Sequence, residues 1–201
     1  MSTPSATRLP AAERRQAVIE AALTVFSAGS YSGATTAQIA REAGVSEPIL
    51  YRHFESKRHL YVACLDEAWA RLRGAFEARI AELGPQNGVL AIGQTATRLR
   101  ALGVLPPNLW IQALTEAGDD PEIRKYLRSH MREVHDFVRD VVLEAQRAGG
   151  VPPDRDAEAE AWVFIGAALL VSVADRLGGL LGHADFAAIA TQRRRWLTGE
   201  N

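Results

Sequence analysis

The 201-residue chain carries 23 Lys and Arg against 24 Asp and Glu, a formal net charge of −1. That length can bury a real core in one large or two small domains, and the near-neutral charge excludes indiscriminate coating of nucleic acid or membrane, which needs excess cations. Hydrophobic residues at 47% and charged residues at 23% are ordinary for a globular chain, so extended disorder is excluded outside the polar, proline-containing first dozen or so residues.

A single cysteine, Cys64, rules out an intramolecular disulfide and a Cys-x-x-Cys knuckle and points to a reducing interior. Met1 to Arg15 holds no apolar run fit for a signal peptide, so the expected location is the cytoplasm. The longest apolar stretch, Ala161 to Ala174, spans 14 residues broken by Gly166 and Ser172. A membrane helix needs ~20, so this stretch reads as a buried helix and no membrane is expected as a partner.

Strand signals are nearly absent. In chain order, Val18, Ala21, Ala22, Val25 and Phe26 form a 3.6-residue stripe that stops at Gly29. Breaks follow at Gly44, Phe54 to Ser56, Gly84-Pro85, Gly103 to Pro107, Gly118 to Pro121, Gly149 to Pro153 and Gly178 to Gly182. They leave about nine helical segments and an all-α fold, the later ones near 57–83, 86–102, 106–117, 121–148, 154–177 and 183–197. Thr35 with Gln38 three residues on is a capping box. Asp120 before Pro121 and Glu122 marks another helix start. Charge divides along the chain: residues 1–60 hold seven cations and five anions, the remainder 16 cations and 19 anions. Any basic face therefore lies at the N-terminal end.

Residues 36–54 meet the physical requirements of a helix-turn-helix. Ala40 lets two helices approach, and Gly44, four residues on, permits the positive φ that ends the first. Ser46 is placed to cap the second helix, and Pro48 is tolerated in its first turn, where N–H groups have no intrahelical acceptor. Ile39, Ala43, Val45 and Leu50 supply a small shared core. An αα-corner inside an ordinary bundle uses the same turn. Against it stands the polar face of Glu47, Tyr51, Arg52 and His53, followed by Lys57 and Arg58, which suits docking into a major groove.

Over about residues 13–61 the sequence resembles the TetR family of bacterial transcriptional regulators. The likeness rests on Ala21-Ala22, Phe26, Gly33, Thr35-Thr36, Ile39-Ala40, Ala43-Gly44-Val45-Ser46 and Leu50-Tyr51-Arg52-His53-Phe54-Glu55-Ser56-Lys57. It implies a homodimer, three N-terminal helices that bind double-stranded operator DNA, and about six C-terminal helices that bind a small-molecule effector and dimerise. The expected domains are 1–58 for DNA binding and 59–201 for effector binding and dimerisation. Carried over by position, Thr35 and Thr36 open the helix that crosses the DNA backbone, where hydroxyls and N–H groups suit a phosphate. Tyr51, His53 and Lys57 match positions that touch phosphates or bases, Lys57 as a point charge at the start of the fourth helix. Base readout falls to Glu47, Pro48 and Arg52: arginine can bridge guanine O6 and N7, glutamate can accept from a cytosine amine, and proline, where the family often has glycine, offers apolar contact.

Downstream, Trp69, Phe76, Leu99, Leu102, Leu105, Trp110, Leu114, Tyr126 and Phe137 supply large apolar groups for a core. Some of them, with Trp69, Phe76, Leu102, Trp110, Leu114, Tyr126 and Phe137 as candidates, are expected to enclose an apolar or aromatic effector. His130 and His135, five apart, miss the i,i+4 spacing of a shared helical face, so no metal site is expected. The apolar run around Trp162, Ile165, Gly166, Leu169 and Val173 needs cover on both faces. Its two-fold copy, with Phe186, Ile189 and Trp196 of the last helix, is the simplest cover. Gly74 reads as a close-packing position that could also ease bending.

The expected function is a ligand-responsive regulator, a repressor released from its operator by a small molecule. Two other readings stay open: a DNA-binding regulator controlled by a partner or by abundance, and an enzyme or small-molecule binder that uses a helical bundle. The enzyme lacks a nucleophile and base at workable spacing, so no catalytic residue and no cofactor is assigned.

Overall fold

The computed structural model describes residues 10–102 and 107–199. Among these residues the fold is all-α, with helices α1 (Ala11–Ala28), α2 (Thr36–Glu42), α3 (Glu47–His53), α4 (Lys57–Leu83), α5 (Gly88–Ala101), α6 (Pro107–Glu116), α7 (Pro121–Arg147), α8 (Ala157–Leu177) and α9 (His183–Thr198), and a single 3-10 turn at Pro85–Asn87. Leu105, an expected core residue, and the expected loose tail up to residue 9 lie outside the described residues. The chain divides into two compact units, Met1–Glu67 and Ala68–Asn201.

In the N-terminal unit α1 buries the predicted stripe, with Ile19 added to it, and packs on α2 and α3. Helix α2 starts where Thr35 accepts a hydrogen bond from the Gln38 N–H at 3.1 Å. It ends at Gly44, whose φ of 66° is the left-handed conformation that favours glycine. Ser46 differs from expectation: its side chain makes no capping hydrogen bond. Its backbone carbonyl instead accepts from the N–H groups of Ile49 and Leu50, which starts α3 without the hydroxyl. Ile39 and Leu50 are fully buried, whereas Ala43 and Val45, at the turn between them, are half-buried.

In the C-terminal unit α7 packs against α5, α6 and α8. One core cluster joins Trp69, Phe76, Ile92, Val138 and Ala161; another joins Val142, Ala145, Val151, Ala157 and Leu197. Asp120 caps α7 by accepting from the N–H groups of Glu122 and Ile123, and Asp156 caps α8 in the same way through Glu158 and Ala159. Gly150 is held against the backbone of residue 86, where a Cβ would stand 1.8 Å from the Gln86 carbonyl oxygen. Gly74 corrects its expectation, because a Cβ there would meet nothing within 4 Å. It is a glycine without close packing.

Helix α8 also departs from the reading of a buried helix. It is long and apolar enough to cross a membrane by length and composition alone, yet only 28% of its most apolar window is buried within the chain.

Candidate nucleic-acid interface and effector region

Helix α3 has an inner and an outer face. Leu50 is fully buried, while Pro48, Tyr51 and Arg52 are exposed and Glu47 and His53 are half-buried. Positions 48 and 52 are one turn apart, so Pro48 and Arg52 share the outer face. A seven-residue helix with an exposed guanidinium on one side has the width and charge that docking into a major groove requires.

Polar side chains link α3 to α2. The Thr36 hydroxyl donates to Glu47 Oε1 at 2.5 Å, and the Tyr51 hydroxyl lies 3.1 Å from the same Thr36 oxygen. Thr36 is buried and Thr35 is exposed. Lys57 differs from the point charge expected of it. Its ammonium donates to the carbonyls of Tyr31 at 2.9 Å and Ala34 at 3.1 Å, and it lies 4.5 Å from the centre of the Tyr31 ring. Two of its three donors are therefore committed to the turn between α1 and α2.

In the C-terminal unit five of the seven candidate effector residues converge, and His130 joins them. The His130 ring stacks on Trp110 at 4.3 Å and on Tyr126 at 5.7 Å, and meets Trp69 edge-on at 5.9 Å. Phe137 packs edge-on to Trp69 and stacks on Phe76. Trp69 donates its indole N–H to Glu133 Oε1 at 2.9 Å. Leu102 and Leu114 are corrections: at 63% and 45% exposed they stand on the surface. A separate hollow of about 540 Å³ lies between α4 and α7, and of the seven candidates only Phe137 lines it.

The α8 and α9 candidates also separate. Trp162, Val173, Ile189 and Trp196 are exposed large apolar groups, joined by exposed Gly166, with Leu169 and Phe186 half-buried. Ile165 is a correction: at 7% exposed it is turned into the chain's own core and offers little to a second copy. Polar ties hold these helices. Glu160, itself buried, accepts from Arg193 and from the Trp196 indole N–H at 2.8 Å. Arg100 forms a two-pronged pair with Asp175 and lies over the Phe186 ring. The hydrogen bond from Arg100 holds the Asp175 carboxyl below its ordinary value, against the opposing effect of burial and with the help of the guanidinium charge.

Residues 18–64 match the model of the bacterial regulatory proteins of the tetR family. The chain is 50% identical over 58 residues to the HTH-type transcriptional activator FasR of Mycolicibacterium smegmatis, a match covering 29% of this chain and 26% of that protein. A longer match, 30% identical over 146 residues, links it to the HTH-type transcriptional regulator BetI of Rhizobium meliloti and covers 72% of this chain and 69% of that one. The chain belongs to the TetR family of bacterial transcriptional regulators. A solved TetR-family regulator from Rhodococcus sp. shares the fold, with a TM-score of 0.81 at 19% identity over 93% of this chain and 99% of that one. So do two solved with ligands: FadR of Bacillus subtilis in complex with stearoyl-CoA, TM-score 0.73 at 16% identity over 92% and 98%, and a regulator of Saccharomonospora viridis in complex with choline, TM-score 0.68 at 19% identity over 92% and 95%.

In this TetR-family regulator, sequence reasoning weighed His130 only as a metal ligand and missed it as the hub of the aromatic cluster. The signal was present, since Tyr126, His130 and Phe137 lie four and seven residues apart on one face of α7. The Glu160 and Arg100–Asp175 ties span 33 to 75 residues, and no local spacing announces them. Among the described residues no three His, Cys, Asp or Glu side chains group as a metal site.

Proposed function

We propose that the chain is a cytoplasmic homodimeric repressor, released from its operator by an apolar or aromatic small molecule, with residues 1–58 binding DNA and 59–201 binding effector and dimerising. The observation that carries the DNA-binding reading is the outer face of α3, where exposed Arg52 and Pro48 stand over a fully buried Leu50. Arg52 is assigned to a guanine edge and Pro48 to an apolar contact. Thr35, His53 and the remaining donor of Lys57 are assigned to the adjoining backbone, and Thr36 and Tyr51 to holding α3 against α2.

Dimerisation is supported by the apolar side chains that α8 and α9 leave exposed, Trp162, Val173, Leu177, Ile189 and Trp196 among them. Contiguous apolar patches of this kind mark association surfaces. A second copy would bring two α3 helices to successive major grooves, about 34–36 Å apart. Effector binding is supported by the cluster of Trp69, Phe76, Trp110, Tyr126 and Phe137 around His130, and by the stearoyl-CoA and choline held by two relatives of the same fold. An effector that favours a different spacing of the α3 helices shifts the population off DNA, and operator DNA weakens effector binding by the same factor.

Selecting bound duplexes from random DNA, then repeating binding against a compound panel, tests this directly. A two-fold symmetric consensus that one class of compound releases is the expected result; operator affinity unmoved by every compound that binds would refute induction. A second reading, a regulator without a small-molecule ligand, draws on one specific observation: Trp110 and His130 are stacked at 4.3 Å and fill the space between them.

A further inference from the structure

Resting on the DNA-binding reading above, we infer that Glu47 is a positioning residue that braces the recognition helix, and reads no base. The geometry fixes the direction of the hydrogen bonds around it. A threonine hydroxyl has one proton, and Thr36 gives it to Glu47 Oε1 at 2.5 Å. The Tyr51 hydroxyl, 3.1 Å from the same oxygen, must therefore be the donor to Thr36. The result is a directed relay from Tyr51 through Thr36 to Glu47. It joins one residue of α2 to two residues of α3 that lie four apart on the same helical face.

Thr36 is buried, with its hydroxyl held between Glu47 and Tyr51. Reaching a cytosine amine would pull the carboxylate from that donor and break the relay. Tyr51 is tied likewise: its proton points inward at Thr36, while phosphate oxygens accept and do not donate. What the relay does is pin α3 to α2, which fixes the helix that carries Arg52. Base preference then comes from Arg52 and Pro48, and Glu47 contributes equally to every sequence bound.

The test compares Glu47→Gln, Glu47→Ala and Thr36→Val with wild-type dimer, each put through selection from random duplex DNA and then titrated on the wild-type consensus. Glutamine keeps an acceptor oxygen for Thr36 and, like alanine, removes the charge, so the difference between the two variants isolates the relay. The expected result is one base-preference profile for all four proteins, with Glu47→Ala binding roughly three- to tenfold more weakly than Glu47→Gln and Thr36→Val weaker than wild type. A Glu47→Gln profile that changes at one base pair would show that Glu47 reads that base and overturn the inference. Equal affinities for Glu47→Ala and Glu47→Gln would overturn it too. Wild-type protein that enriches no sequence would refute the DNA-binding reading itself, and the inference with it.

Discussion

In the N-terminal unit the polar ties around α3 and the α1–α2 turn are short in sequence: Thr36 reaches Glu47 and Tyr51 across 11 and 15 residues, and Lys57 reaches back 26 and 23 residues to the carbonyls of Tyr31 and Ala34. In the C-terminal unit the ties that join α5, α8 and α9 are long. Arg100 meets Asp175 across 75 residues, and Trp196 meets Glu160 across 36. The first arrangement fixes a small, exposed polar face over the buried Ile39, Leu50 and Phe54. The second ties α5, α8 and α9 together across long stretches of chain. Hydrogen bonds within a motif hold side chains in place before any partner arrives, without added volume.

The largest expected effect tests the C-terminal side of this contrast. Phe76→Ala removes a buried ring stacked on Phe137 and is expected to lower unfolding free energy by about 3–5 kcal/mol, read by urea titration of the helical circular dichroism signal. Arg52→Ala is expected to leave stability within experimental error and to weaken operator binding by about 1–3 kcal/mol with relaxed preference at one base pair, read by fluorescence anisotropy. If Arg52→Ala instead unfolds the protein, the N-terminal face is structural and the contrast between the units collapses.

Lys57→Met removes both carbonyl contacts and is expected to destabilise by about 1–2 kcal/mol, visible as faster amide exchange in residues 31–34 with the C-terminal unit unchanged. The smallest effect is a matter of pH. Because Asp175 is held below its ordinary value of 3.8 in the folded chain, its stabilising effect is complete above that value and fades as pH falls through the lower, folded one. Asp175→Asn should therefore flatten the acid limb of a thermal-melting profile and leave its neutral limb parallel to wild type.

The parts of the fold legible in the sequence are those in which a residue's role depends on its own helix. The left-handed Gly44, the Asp120 cap and the buried stripe of α1 all follow from local backbone chemistry. Misplaced residues are those whose role depends on what another helix does. Ile165 is buried and Leu102 and Leu114 are exposed, because a period of 3.6 says which residues share a face but not which face is covered. The two carbonyl oxygens around Lys57 are likewise not legible from its own helix, because only the folded α1–α2 turn brings them to it. Ser46 matched the composition of a cap, but the backbone bonds from Ile49 and Leu50 left its hydroxyl without that task.

Cys64, the one cysteine in the chain, is fully buried in the N-terminal unit. A thiol so placed reacts only when the structure around it opens. Its labelling rate thus reports how often the N-terminal unit opens, readable in the native protein without any engineered probe.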